Sequence, residues 1–126
     1  MPNWEPIYGE SIPGQVRAAE HGGFTLKVAA VNSLFCPAFW MVTTNQANLV
    51  VGCGYSNNLE GAKQATLDAV ANYLVVISNR FILQGSGDTS HVVEKNEAID
   101  LLRRGKVEPT IVKGNVALLP TKRFLN

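Results

Sequence analysis

The sequence predicts an α+β fold: an antiparallel sheet packed against one long helix, with a shorter second helix and a C-terminal β-hairpin. Three observations carry that expectation. Residues 24–55 hold three short runs in which apolar and polar side chains alternate, or in which aromatic and β-branched residues cluster; both are marks of half-buried strands. From Leu59 onward the apolar spacing lengthens to three and four residues, the period of an amphipathic helix. Short polar turn clusters separate these segments. At 126 residues, 46% apolar and 17% charged, the chain has the length of a single domain, 1–126, and enough apolar material to fold.

The elements follow in order. Residues 1–23 contain Pro2, Pro6, Pro13, Gly9, Gly14, Gly22 and Gly23, which leave no room for a long helix or a central strand, so an irregular N-terminal arm is expected. Trp4, Ile7, Tyr8, Ile12 and Val16 within it are apolar enough to pack on this chain or on a second copy. Phe24, Leu26, Val28 and Ala30 alternate with Thr25, Lys27 and Ala29, a first strand running to Asn32. Phe39 to Thr44 and Leu49 to Tyr55 form a hairpin across Asn45-Gln46-Ala47-Asn48. Gly52 and Gly54 share one face of its second strand and leave that face bare for a close neighbour, most commonly a packed helix.

Asn58 is placed to cap the long helix, which starts at Leu59 and ends between Ser78 and Leu83. Its apolar stripe runs through Ala62, Thr66, Ala69, Val70, Tyr73, Val76 and Ile77, widened by Leu67 and Leu74. Gln84 to Ser90 is a turn region. Asn96 caps a shorter helix, Glu97 to Arg104, stopped by Gly105 at the C′ position. Thr110–Val112 and Val116–Leu119 flank Lys113-Gly114-Asn115, where the Gly-Asn pair suits a type II′ hairpin.

Composition narrows the functional classes. No apolar run approaches the roughly 18 residues of a membrane span, and the first residues lack the basic-then-apolar order of a secretory signal. A cytoplasmic, non-membrane protein is expected; Cys36 and Cys53 flank the hairpin, where geometry leaves a bridge open, and are expected to be reduced, half-buried and acting as small hydrophobes. The formal net charge of +1 conceals a gradient. Residues 1–102 carry five Lys and Arg against nine Asp and Glu, about −4, and residues 103–126 carry six against one, about +5. Arg103, Arg104, Lys106, Lys113, Lys122 and Arg123 form a basic segment that can serve an anionic ligand, dock on the acidic body of the same chain, or stay solvated. Arg103 and Arg104 also suit the C-terminal dipole of the short helix.

No motif of catalysis emerges. His21 and His91 lie far apart without Cys, Asp or Glu at metal-ligand spacing and are expected at the surface. The glycine runs at Gly52–Gly54 and Gly85–Gly87 lack the frame of a phosphate-binding loop. Ser86, Asp88, Ser90 and His91 have neither a nucleophile elbow nor an oxyanion hole to organise them. No metal and no cofactor are expected.

The stretch from Val51 to Ala65 carries two resemblances. Gly52, Gly54, Ser56, Ala62 and Lys63 resemble the double-stranded-RNA-binding domain, whose last strand reads G-x-G-x-S before a lysine-rich helix; that resemblance implies RNA as the partner. Gly22-Gly23-Phe24-Thr25 and Asn57-Asn58-Leu59-Glu60-Gly61-Ala62 resemble the strand start and helix start of small HicB-like antitoxins, over residues 22–74. That resemblance implies an antitoxin-like accessory protein. Both imply strands followed by a helix laid across them.

Two functional expectations follow. The first is a non-catalytic protein-interaction module, an inhibitor or antitoxin-like accessory protein working as a homo-oligomer, with Trp4, Trp40 and Tyr73 as aromatic anchors of the interface. The alternative is a binder of nucleic acid or a nucleotide through the basic C-terminal segment.

Overall fold

The computed structural model describes residues 2–6, 16–30, 38–78, 80–85, 90–112 and 114–120. It is α+β, with two sheets and two helices. The first sheet is an antiparallel meander in sequence order, β1 (Glu5–Pro6), β2 (Val16–His21), β3 (Phe24–Ala30), β4 (Ala38–Thr44) and β5 (Val50–Ser56). Helix α1 (Leu59–Ile77) leaves β5 after a two-residue bend and packs across β3, β4 and β5. The chain continues through β6 (Arg80–Gln84), β7 (Ser90–Val93), α2 (Lys95–Arg103), β8 (Val107–Val112) and β9 (Asn115–Pro120). These last four strands form a second sheet, ordered β7-β6-β9-β8, in which β6 and β9 run parallel.

Local chemistry explains the best-formed elements. Asn58 holds an extended backbone, and its side-chain oxygen accepts the Gly61 N–H at 2.7 Å, the expected N-cap. Period-two burial places Phe24, Leu26 and Val28 of β3 on the face that meets α1. On that same face Val42 is fully buried, and α1 contributes Leu67, Val70, Ala71 and Leu74. One contiguous cluster then runs on through Ala98 and Leu102 of α2 to Phe81, Val93, Val107, Val116 and Leu118 of the second sheet.

Several expectations are corrected. The arm expected to be irregular over 1–23 carries β1 and all of β2, which pairs residue for residue with β3 from Val16–Ala29 to His21–Phe24; Ile7, Tyr8 and Ile12 lie outside the described residues. Gly22 and Gly23 are therefore a two-residue hairpin turn, and the positive φ of 61° at Gly22 is what such a turn requires. Helix α1 stops at Ile77, where Ser78 turns extended, and β6 begins at Arg80. The apolar run Phe81-Ile82-Leu83 is thus strand, not helix tail. Helix α2 begins two residues before the expected Glu97, and its cap position is Glu94, which makes no side-chain capping bond; Asn96 lies inside the helix.

Gly105 does end α2, with φ of 69°: its N–H donates to Leu102 O at 3.1 Å and the Lys106 N–H donates to Leu101 O at 3.2 Å, the paired bonds of a Schellman motif. The C-terminal hairpin forms, but Val112 pairs with Asn115, so Asn115 belongs to the strand and not to the turn. β9 also pairs with β6, so the hairpin is half of a larger mixed sheet.

The two sheets meet at the β2–β3 turn. The Gly23 N–H donates to the Pro109 carbonyl of β8 at 3.1 Å, and the Gly23 carbonyl accepts the Asn45 N–H at 2.9 Å. A Cβ at Gly22 would overlap the same Pro109 carbonyl oxygen, whereas one at Gly23 would meet nothing within 4 Å. Gly22→Ala is therefore expected to cost about 2–4 kcal/mol in a urea titration, through the strained φ and the clash together. Gly23→Ala should stay within about 0.5 kcal/mol, and equal losses for the two variants would refute this account of the joint.

Candidate functional site: an open strand edge and the groove beside it

Of the four sheet edges, three are guarded. β1 is two residues long and ends in Pro6; β8 carries Glu108 and Pro109; β7 has only four residues. Short length, charge and proline are the usual devices that stop an edge from pairing with another chain. β5 has none of them. It spans Val50 to Ser56 with no charged residue and no proline, and pairs only with β4 among the described residues. A register shift opposite Val42–Thr43 bulges its first turn, and from Gly52 onward its pairing is regular.

The inner face of β5 is bare because Trp40 lies on it. A Cβ at Gly54 would come within 3.1 Å of Trp40 Nε1, and one at Gly52 within 3.1 Å of the Trp40 ring and 3.0 Å of Ala69 Cβ. The expected close neighbour of the two glycines is thus an aromatic ring from β4 as well as helix α1. Such a ring over strand glycines replaces the packing the glycines cannot supply. On the outer face Phe39 meets Tyr55 edge-on, centroids 5.5 Å apart, and Cys53 is exposed. Cys53 was expected half-buried; at the free edge it is not, and Cys36 lies outside the described residues.

Between β5 and α1 runs an open groove of about 510 Å³, lined by Trp40, Val51, Ala69, Tyr73, Val76 and Ile77 among others. Asp68 is the one charged residue in its lining. Tyr73 forms an edge-on pair with Phe24 at 6.0 Å and also borders a second cavity, of about 360 Å³, reached by Leu49 and Ile111. The two openings therefore adjoin at Tyr73. Val76 is 84% exposed, and Leu49, Val50, Ile77 and Ile111 are exposed as well. Exposed apolar residues gathered around a groove are characteristic of interaction surfaces.

Two of the three expected anchors, Trp40 and Tyr73, come together in this groove. Trp4 does not: it packs against the Val28, Ala38 and Ala62 cluster, with the Lys63 ammonium 5.7 Å from its ring. Lys63, the lysine shared with the RNA-binding resemblance, also contacts Glu60 at 3.4 Å and keeps only 17% of its side chain exposed. Val76 and Ile77 were assigned to the buried stripe of the helix and are exposed instead, because the first sheet ends at β5 and covers only part of it. A sequence signal for this face existed: from Val28 to Leu59 there is no Asp, Glu, Lys or Arg, so β4 and β5 have no charge with which to mark a solvent face.

Three of the six expected basic residues, Arg103, Arg104 and Lys106, are described. Arg103 places Nε 3.8 Å from the Asp68 carboxylate and donates to Asn72 Oδ1 at 3.4 Å, while Gln64 bridges Asp68 and the Arg103 carbonyl at 3.0 and 2.8 Å. Arg104 Nε lies 3.2 Å from Asp100 one turn earlier in α2. Both arginines thus engage acidic groups of their own chain, through exposed pairs worth about 0–1 kcal/mol each. Lys106 is exposed and also has an interaction partner. Lys113, Lys122 and Arg123 lie outside the described residues. No group of three metal-ligating side chains exists among the described residues, and no helix there is long and apolar enough to cross a membrane.

His91 is at the surface, as expected, but His21 is not. It is fully buried at the end of β2, and neither ring nitrogen has a hydrogen-bond partner. Desolvation lowers its pKa from 6.5 to about 4. The fold therefore holds the ring neutral while the unfolded chain protonates near 6.5. Between pH 6.5 and about 4 the unfolded state binds the extra proton, and stability falls as pH falls, by about 3 kcal/mol across that window. Chemical denaturation at pH 7 and pH 4.5 is expected to show this loss, and His21→Leu should remove most of it; a wild-type and variant slope that coincide would contradict the assignment.

Compared with protein-family models, curated proteins and solved structures, the chain matches none of them. The RNA-binding resemblance rests on residues between Gly52 and Lys63, and the antitoxin resemblance on Gly22 to Thr25 and Asn57 to Ala62.

Proposed function

We propose that this chain is a non-catalytic protein-interaction module, an inhibitor-like or antitoxin-like accessory protein of the cytoplasm that works as a homo-oligomer. Its binding face is the groove between β5 and the second half of α1, with Trp40 and Tyr73 as anchors and Val76 and Ile77 as the exposed rim. The observation that carries this reading is the apolar face that adjoins at Tyr73 and abuts an unguarded strand edge. Half-buried aromatic residues in a concave apolar setting are the side chains that dominate interface energetics. An extended partner segment laid along β5 would find main-chain hydrogen bonds on one side and an apolar trough on the other, the arrangement used in strand addition.

Selection from a displayed peptide library against the full chain tests the proposal. Enriched peptides are expected to be apolar and uncharged at their centre. Val76→Glu with Ile77→Glu, two exposed changes that leave the core intact, should weaken the selected peptides about tenfold or more without shifting the melting temperature by more than a few degrees. Peptides whose binding ignores these substitutions, or a library with no enrichment, would refute the groove as the functional site.

A further inference from the structure

We propose that the strand edge has a specific occupant: β5 of a second copy of this chain, paired antiparallel about a two-fold axis that passes beside Cys53. The inference rests on the reading of this face as an interaction surface and names the partner on its β5 side. Two five-stranded sheets would then join into one continuous sheet.

Three observations lead there. The first is the contrast among edges: Pro6, Glu108 and Pro109, and the shortness of β7 close the other three, and among the described residues only β5 is left able to accept a strand. The second is charge. From Asn45, through β5, to Leu59 no residue is charged, and in a cross-strand pair the side chains stand directly opposite one another. A charged partner strand would set an unmatched charge against Val50, Cys53 or Tyr55. Another β5 sets none, and its own neutral flanks meet neutral flanks. The third is the near symmetry of Gly52-Cys53-Gly54. With the axis at Cys53, Gly52 of one copy faces Gly54 of the other and Val50 faces Ser56. Small residues thus meet at the centre, the backbones approach without obstruction, and each inner glycine keeps its Trp40 roof. The pairing is isologous and closes on itself, so it ends at a dimer instead of running on into a fibre.

The register makes a sharp geometric statement. Residues directly opposite in an antiparallel pair have Cα atoms about 4.5–5.5 Å apart, inside the disulfide range of about 4.4–6.8 Å. The two exposed Cys53 thiols would sit within bonding reach of each other. The test uses the full chain carrying Cys36→Ser, so that Cys53 is the sole thiol. Sedimentation velocity is expected to show a dimer, and mild copper-phenanthroline oxidation to link it through Cys53 at the same protein concentrations.

Cys53→Lys sets two like charges directly opposite each other at the axis and should raise the dimer dissociation constant about a hundredfold; Tyr55→Lys, separately, sets an unmatched charge against Val51 of the other copy and should raise it about tenfold. Both positions are exposed, so the circular dichroism spectrum and melting curve of the monomer should be retained. A chain that stays monomeric at high concentration overturns the proposal, as does a dimer that survives both lysine variants and does not cross-link through Cys53. If either occurs while peptides still depend on Val76 and Ile77, the interaction reading stands and the strand edge serves a segment of another protein. If the dimer forms through β5 while the groove takes no peptide, the proposed groove function fails and the self-pairing holds.

Discussion

The structure depends on the burial of one side of α1. Ala62, Thr66, Leu67, Val70, Ala71 and Leu74 are all lost from solvent, and the first sheet, α2 and the second sheet all contribute to the core that includes Leu67, Val70, Ala71 and Leu74. Neither sheet is a freestanding object: each has an apolar face that must be covered. A fully buried aliphatic side chain contributes about 1.5–3 kcal/mol by leaving water, so Leu67, Val70 and Leu74 outweigh any of the exposed ion pairs described. The same helix also explains what is left uncovered. Its last turn carries Val75, Val76 and Ile77 in succession, and three consecutive residues cannot all face one side at 100° per residue. Part of that turn must be exposed wherever the sheet lies.

The second constraint is the fit of Trp40 onto β5. An edge strand has one neighbour to pack against, and glycine supplies no side chain of its own. Here the indole spans Gly52 and Gly54, so ring and backbone replace what two side chains would otherwise provide. This explains a pattern that propensity alone counts as unfavourable, two glycines within five residues of a strand. It also ties the edge to the core: Trp40 touches both buried clusters, the one around Leu67 and Leu74 and the one around Ala62.

What could be read from the sequence was what local chemistry determines. The alternation in β3, the hairpin of β4 and β5, the Asn58 cap and the Gly105 stop each depend on a few neighbouring residues, and each was placed within a residue or two. What could not be read depends on distant partners. β2 was hidden because Val16 to His21 has a polar and apolar order that becomes a strand only beside β3. β6 was hidden because Phe81-Ile82-Leu83 follows Val76-Ile77 with no glycine or proline between, and a short apolar run has no period of its own. The parallel pairing of β6 with β9 joins segments some thirty-five residues apart, which no local signal encodes. His21 illustrates the same limit at one side chain, since its burial follows from a strand assignment that was itself out of reach. Within the candidate site, Trp40 and Tyr73 were legible as large aromatics on their elements, while the exposure of Val76 and Ile77 needed the position of the sheet edge.

The residues that build this edge also determine what can approach it. Trp40 excludes any side chain at Gly52 and Gly54, so the inner side of β5 is flat at its centre; Cys53 is small, so the outer side is nearly flat as well. A strand of alternating valine and threonine could pack on a helix equally well and would present branched side chains on both faces. Edge strands that must remain single carry a lysine, a proline or a sharp bulge in that central position, and here the one bulge lies at the start of the strand, away from the centre. The packing of the core and the openness of the edge are therefore two consequences of the same three residues. A substitution that armoured the edge at either glycine would have to evict the tryptophan first, so this fold can close β5 without loss to its core only from the outer side of the strand, at Cys53 or Tyr55.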